Sequence, residues 1–155
     1  MRKVVLGIGN TLNRDEGLGV VALQALQSEL PDSTGLEFLD GGTLGLNLLT
    51  IVEDASHLLI LDAVDAGVEP GTVVELNRDE IPLFSGVKMS EHQITFQEVL
   101  GLAKIRDRLP ENLHLVGVQP SDMQIGVGVS PAVEGVMKKV LERSKRVLRG
   151  WDLIK

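Results

Sequence analysis

The sequence predicts an α/β protein, a three-layer α/β/α sandwich built around a mixed five-stranded sheet. Short runs of β-branched and aliphatic residues alternate along the chain with segments in which apolar residues recur at helical spacing. No repeat or linker-like stretch interrupts this alternation, and 155 residues are a usual size for one domain. We therefore expect a single domain over residues 1–155. Its core should be aliphatic, because the chain has only three Phe and one Trp.

The first strand and the first helix have the clearest patterns. Residues 3–8 are mainly β-branched and aliphatic, which is typical of a strand buried on both faces. Apolar residues then recur at helical spacing from Leu18 to Leu30. Pro31 ends this pattern, because proline cannot continue a helix.

Two further strands are predicted to end at aspartates. Residues 36–39 form the second strand, which ends at Asp40, and a second helix follows with Thr43 as a candidate cap. Residues 57–61 form a third, buried strand that ends at Asp62.

The connection to the fourth strand, at residues 72–76, determines that strand's direction. Only about ten residues separate it from the third strand, and they include Gly67, Pro70 and Gly71. Parallel neighbours need a crossover of about a dozen residues or more, usually helical. The fourth strand should therefore run antiparallel to the others.

The remaining elements restore the alternation. Apolar residues from Phe96 to Ala103 indicate a third helix, and residues 113–118 form a fifth strand. Pro131 suits the first turn of a last helix, whose apolar residues continue to Val147.

Composition and charge exclude several classes of protein. The chain has no cysteine, which rules out disulfides, thiolate metal sites and a cysteine nucleophile. Its net charge of −7 argues against a nucleic-acid partner, which needs cations to neutralise phosphates. No signal sequence or membrane span is evident, so we expect a cytoplasmic protein without membrane insertion. The basic segment 138–155 reads either as a terminal helix or as a partner-docking surface.

The predicted topology places four polar residues at one edge of the sheet. Ligands of open α/β sheets bind beyond the carboxyl ends of the parallel strands. Glu16 follows the first strand, Asp40 and Asp62 end the second and third strands, and His92 precedes the third helix. The other two histidines, His57 and His114, begin strands and should lie at the opposite edge.

This set of donors suits a divalent metal ion. Carboxylate and imidazole together favour a borderline ion such as nickel, zinc or iron. Two carboxylates and one imidazole leave coordination positions open, as a catalytic or exchange site requires. The alternative is that these residues are ordinary helix caps and solvated turns.

A dinucleotide-binding loop is the rival interpretation of the first strand. Gly7 and Gly9 lie between a strand and a helix, and Asp40 ends the second strand. The third glycine of the fingerprint is absent, because Leu12 occupies its position. Glu16 and the acidic residue before it also stand where a pyrophosphate needs a positive helix terminus. Nucleotide binding is therefore disfavoured.

Six motifs in order resemble those of the hydrogenase maturation endopeptidases, over essentially the whole chain. They are Gly7-Ile8-Gly9-Asn10-Thr11-Leu12, Asp15-Glu16-Gly17-Leu18-Gly19, Asp40-Gly41-Gly42-Thr43, Leu61-Asp62-Ala63, Glu91-His92-Gln93 and Leu115-Val116-Gly117-Val118-Gln119-Pro120. The resemblance implies a phosphorylase/hydrolase-like fold. It also implies an endopeptidase that removes the C-terminal extension of a nickel-loaded [NiFe] hydrogenase large-subunit precursor.

The resemblance further implies a role for individual residues. Glu16, Asp62 and His92 match the residues that bind the metal, which is nickel carried by the precursor. The turn of Gly41 and Gly42, followed by Thr43, matches the segment associated with precursor recognition. Relatives often have proline where this chain has Glu91, which puts the rigidity of that loop in doubt.

The candidate catalytic residues are Asp62 and Asp40, in an aspartyl-type mechanism in which water attacks. Asp40, beside the glycine turn, is the candidate for orienting or deprotonating that water. Either the metal polarises the scissile carbonyl or acidifies a water, or it only registers the precursor while a carboxylate acts as base. The alternative function is a non-enzymatic nickel metallochaperone or sensor with the same ligands. We expect the free protein to be a monomer.

Overall fold

The structure is a computed structural model that describes residues 1–31, 35–42, 47–83 and 95–155. Its five strands form one sheet in the order β2-β1-β3-β5-β4. Adjacent strands are parallel except for β4, which pairs antiparallel with β5. The predicted mixed sheet and the direction of the fourth strand are both confirmed. The strands are β1 Arg2–Gly7, β2 Leu36–Asp40, β3 Ala55–Ala63, β4 Val73–Asn77 and β5 Asn112–Val118.

Helices cover both faces of the sheet, because residues of the buried strands alternate between two apolar cores. In β1, Val4 and Leu6 belong to the core beneath α2 and α3, whereas Val5 belongs to the core beneath α1 and α5. The three predicted layers are therefore present. The helices are α1 Leu18–Glu29, α2 Leu48–Asp54, α3 Phe96–Ile105, α4 Pro131–Glu134 and α5 Met137–Gly150.

The prediction of one continuous last helix was wrong. Pro131 does open a helix, but α4 ends at Glu134 and α5 begins at Met137. Gly135, a poor helix former, caps the short helix, and Val136 leaves helical geometry with φ −115° and ψ 5°.

Two other expectations concern the helices. The second helix is described from Leu48 onward, and its proposed cap, Thr43, lies outside the described residues. None of the helices in the described ranges is both long and apolar enough to span a bilayer.

Candidate active site

The end of β1 lies between the two strands that carry the candidate aspartates. Gly7 pairs with Asp40 of β2 on one side and with Leu61 of β3 on the other. Adjacent strands lie about 4.8 Å apart, so the strand ends that carry Asp40 and Asp62 are separated by roughly 10 Å. The sheet therefore brings both aspartates to its carboxyl edge, as predicted.

Glycines hold the loop after β1 against its neighbours. Gly9 has φ +124°, and a Cβ there would lie 1.8 Å from the carbonyl oxygen of Glu16. A Cβ on Gly42 would lie 2.3 Å from the carbonyl oxygen of Gly9, and one on Gly19 would lie 2.2 Å from that of Leu61. These backbone contacts admit no side chain, so they set the position of Glu16 relative to the two strand ends.

Glu16 is partly buried in a 3-10 turn, Arg14–Gly17, that leads into α1. Asn13 supports it, because the side-chain amide of Asn13 donates a 3.0 Å hydrogen bond to Oε2 of Glu16. The Glu16 carboxylate is thus oriented by a neutral donor.

Asp62 is the second residue from the end of β3 and is partly buried. Burial, assisted by the negative charge of Glu16, raises the pKa of Asp62 to about 8, although a 2.8 Å hydrogen bond from the Ala63 amide to Oδ1 opposes this shift. The negative charge of Glu16 acts on Asp62 because the start of α1, which follows the Glu16 turn, packs against the backbone of Leu61 at the end of β3. A cation placed between them would reverse the shift.

Asp40 is exposed and begins a tight turn. Its Oδ1 accepts a 2.9 Å hydrogen bond from the Gly42 amide, which is an Asx turn. Gly41 is buried, and its amide donates to the carbonyl of Gly7 at 2.8 Å. The turn therefore fixes Asp40 at the carboxyl edge of the sheet, with one carboxylate oxygen engaged by the turn.

His92, the third predicted ligand, lies outside the described residues. Within residues 1–31, 35–42, 47–83 and 95–155, no three His, Asp or Glu side chains form a group that could hold a metal ion. The other two histidines lie at the opposite edge, as expected: His57 pairs with Asn112 at the start of β5, and Nε2 of His114 is 3.0 Å from Glu75. The three-ligand set stays a prediction.

Asp15 is a residue whose importance the sequence did not reveal. It is fully buried, and its carboxylate accepts four hydrogen bonds: from the amides of Ser121, Asp122 and Ser130 and from the Ser130 hydroxyl, at 2.6–2.9 Å. Burial acts to raise the pKa of Asp15, but these hydrogen bonds outweigh it and lower the pKa below its usual value. The partners lie 106 to 115 residues away in sequence, so no local pattern could identify them.

Gln119 fixes the segment that follows Asp62. Its side-chain carbonyl accepts hydrogen bonds from the amides of Ala66 and Val68, and its amide donates to Asp65. The side chain is nearly buried. Gln119, which follows the last residue of β5, therefore anchors the connection between β3 and β4.

Comparisons with known proteins agree with this architecture. Residues 20–146 match the family model described as hydrogenase maturation protease. Hydrogenase expression/formation protein HupD of Rhizobium leguminosarum bv. viciae is 45% identical over 154 residues, which cover 98% of this chain and 76% of that protein. The Hydrogenase 2 maturation protease of Escherichia coli K12 is 38% identical over 152 residues, which cover 96% of this chain and 92% of that protein.

A solved structure gives the same result. The hydrogenase maturating endopeptidase HybD from E. coli superposes with a TM-score of 0.84 at 38% identity, covering 97% of this chain and 93% of that one. The match includes the mixed sheet with its antiparallel β4. Sequence, fold and the extent of the matches lead to one conclusion: this chain belongs to the hydrogenase maturation protease family.

Proposed function

We propose that this protein is an endopeptidase that removes the C-terminal extension of a nickel-loaded [NiFe] hydrogenase large-subunit precursor. The observation that carries the proposal is the packing of the start of α1, which follows the Glu16 turn, against the end of β3, which bears Asp62, at the carboxyl edge of the sheet. Support also comes from the E. coli relative, which is named for maturation of a hydrogenase and matches 96% of this chain.

The metal belongs to the substrate in this proposal. Glu16, Asp62 and His92 would complete the coordination of nickel that the precursor already holds. The raised pKa of Asp62 supports the assignment of nickel to the precursor. An Asp62 carboxyl with a pKa of about 8 is mostly protonated at pH 7 and is then a poor ligand for a free metal ion. A free protein of this kind should bind nickel weakly, whereas a precursor that presents a partly coordinated ion would displace the proton.

The chemistry is attack of a water molecule on the scissile peptide. Asp40 is the candidate to orient or deprotonate that water, because it is exposed and is held at the carboxyl edge of the sheet by the Gly42 amide. Asp62 would act as a ligand of the nickel ion. The turn of Gly41 and Gly42, with Thr43 after it, would bind the peptide. A bound nickel ion can supply polarisation of the scissile carbonyl.

The proposal is tested by incubating the purified protein with nickel-loaded precursor and with precursor from which nickel has been withheld. Only the nickel-loaded precursor should be cleaved, which a mobility shift of the large subunit and mass spectrometry of the released peptide would record. Binding of the loaded precursor without cleavage would indicate a metallochaperone or sensor instead. Equal cleavage of both precursors would contradict the metal-dependent part of the proposal.

Two further parts of the proposal concern the location and the oligomeric state of the free protein. We infer that the free protein is a cytoplasmic monomer. Light scattering of the purified protein checks the oligomeric state, and cell fractionation checks the location.

A further inference from the structure

An exposed apolar surface lies on two loops beside the candidate active site. Of the eight large apolar side chains exposed in the described part of the chain, four belong to these loops: Leu12, Met123, Ile125 and Val127. Three of them are strongly exposed, Leu12 at 62%, Ile125 at 89% and Val127 at 84%. We call these four residues the loop patch.

Backbone hydrogen bonds bring the two loops together. The Gly126 amide donates to the Leu12 carbonyl at 2.8 Å, and the Arg14 amide donates to the Gly126 carbonyl at 3.1 Å. Gly126 separates Ile125 from Val127 in sequence, so these bonds place the backbone that carries both side chains alongside residues 12–14. The exposed apolar side chains of Leu12 and of the 125–127 segment are therefore carried by adjoining backbone, although the two segments are more than 110 residues apart in sequence. Contiguous exposed apolar surface marks interaction sites, whereas scattered single residues do not.

The loop patch is also fixed relative to the site. Asn13, the neighbour of Leu12, donates its side-chain amide to Glu16. On the other loop, the amides of Ser121, Asp122 and Ser130 are held by the buried carboxylate of Asp15, the residue before Glu16. A partner that binds the patch would thus be positioned rigidly with respect to Glu16.

We propose that the loop patch is the docking surface for the folded precursor, which would contact it through an apolar area beside its own metal site. This inference rests on the proposed function, in which the substrate is a protein. Continuity selects this occupant, because a precursor that delivers its scissile peptide to Glu16 and Asp62 must cover the adjoining surface. Arg14 and Asp122, which adjoin the patch in sequence and by the Arg14–Gly126 hydrogen bond, form an ion pair at 3.4 Å, so their charges offset each other.

The test compares two double variants in cleavage of nickel-loaded precursor. Ile125→Ser/Val127→Ser removes the most exposed part of the patch. The matched control is Leu102→Ser/Ile105→Ser, which changes two exposed apolar residues of α3. Loss of buried apolar area should lower kcat/KM of the patch variant at least about tenfold, mainly through KM. The control should retain the wild-type kcat/KM, and both should melt near the wild-type temperature.

Further variants and measurements keep the test decisive. If the double variant melts early, Ile125→Ser and Ile125→Met replace it, and the serine should raise KM more than the methionine. Unchanged KM in the patch variants, with normal wild-type cleavage, would overturn the docking surface and leave the proposed function standing. A loss of self-association on light scattering, with KM unchanged, would assign the patch to a second copy of this chain and overturn the proposal. Failure of the wild type to cleave any precursor would overturn the proposed function and, with it, this inference.

Discussion

The carboxylate of Asp15 accepts two hydrogen bonds from Ser130, one from its amide at 2.6 Å and one from its hydroxyl at 2.7 Å. This contact joins the loop before α1 to the residue that caps α4. With the bonds from Ser121 and Asp122, it fastens the 121–130 segment beside the site. Asp15 is therefore a structural anchor, whereas its neighbour Glu16 is a predicted metal ligand.

Asp15→Asn should destabilise the protein by about 3 kcal/mol. The asparagine loses the negative charge that four donors share, and its amide group would oppose amides that also donate. Asp79→Asn is the matched control, since the Asp79 side chain is 94% exposed and surface changes usually stay within about 0.5 kcal/mol. Urea unfolding of both variants measures the difference. A loss below about 1 kcal/mol for Asp15→Asn would show that the anchor is unimportant.

Stability should fall between pH 7 and pH 9 because of Asp62. An unfolded aspartate titrates near 3.8, whereas burial holds the pKa of Asp62 at about 8 in the folded state. Over this interval the folded state binds more protons than the unfolded state, so the free energy of unfolding decreases as pH rises, by about 1.4 kcal/mol in total. The chain has no cysteine or tyrosine side chain that would titrate between pH 7 and pH 9. The pKa of His57 is lowered, so this side chain titrates below that interval.

The Asp62→Asn variant separates this effect from other titrations. It should lack the Asp62 contribution, so its melting temperature should fall several degrees less than that of the wild type from pH 7 to pH 9. Parallel curves for the two proteins would contradict the raised pKa of Asp62.

Gly9→Ala should cost at least about 2 kcal/mol and remove activity. A Cβ at this position would lie 1.8 Å from the Glu16 carbonyl oxygen, and the φ of +124° is unfavourable for alanine. The loop would have to move, and Glu16 with it. Gly150→Ala in α5 is the control, because nothing lies within 4 Å of its added Cβ, and helix propensity should leave stability equal or slightly higher. Thermal melts and precursor cleavage record both effects.

Asp40→Asn tests the proposed base. The asparagine carbonyl can still accept from the Gly42 amide, so the turn and the melting temperature should be preserved. If Asp40 deprotonates or orients the water, kcat should fall at least about 100-fold with little change in KM. A kcat within a few-fold of the wild type would transfer the role to Asp62 or to the metal.

His92→Ala should abolish cleavage of nickel-loaded precursor, because the imidazole is the only predicted nitrogen ligand of the site. His57→Gln is the control: His57 lies in β3 at the opposite edge, where it packs against Trp151. That variant should cleave at the wild-type rate. Wild-type cleavage by His92→Ala would remove His92 from the ligand set and require another donor.

Local patterns and connection lengths determined most of the architecture. A short run of β-branched residues favours a strand, because branched side chains pack well on a pleated surface. A ten-residue link is too short for a crossover, which made β4 antiparallel. The carboxyl-edge placement of Asp40 and Asp62 followed from that topology alone. The break between α4 and α5 was missed, because the apolar spacing continues across Gly135 and Val136 although the backbone does not.

What the sequence could not determine are the contacts between segments far apart in the chain. Asp15 and Glu16 are adjacent acidic residues. Only the folded loops decide that the first accepts four hydrogen bonds from the 121–130 segment, while the charge of the second acts on Asp62. The raised pKa of Asp62 has the same origin, since burial and a neighbouring charge exist only after β1, β3 and the loop before α1 have packed together. Leu12 and Ile125 likewise become one surface only through the hydrogen bonds of Gly126, because side-chain pattern is a local property and proximity is a property of the fold.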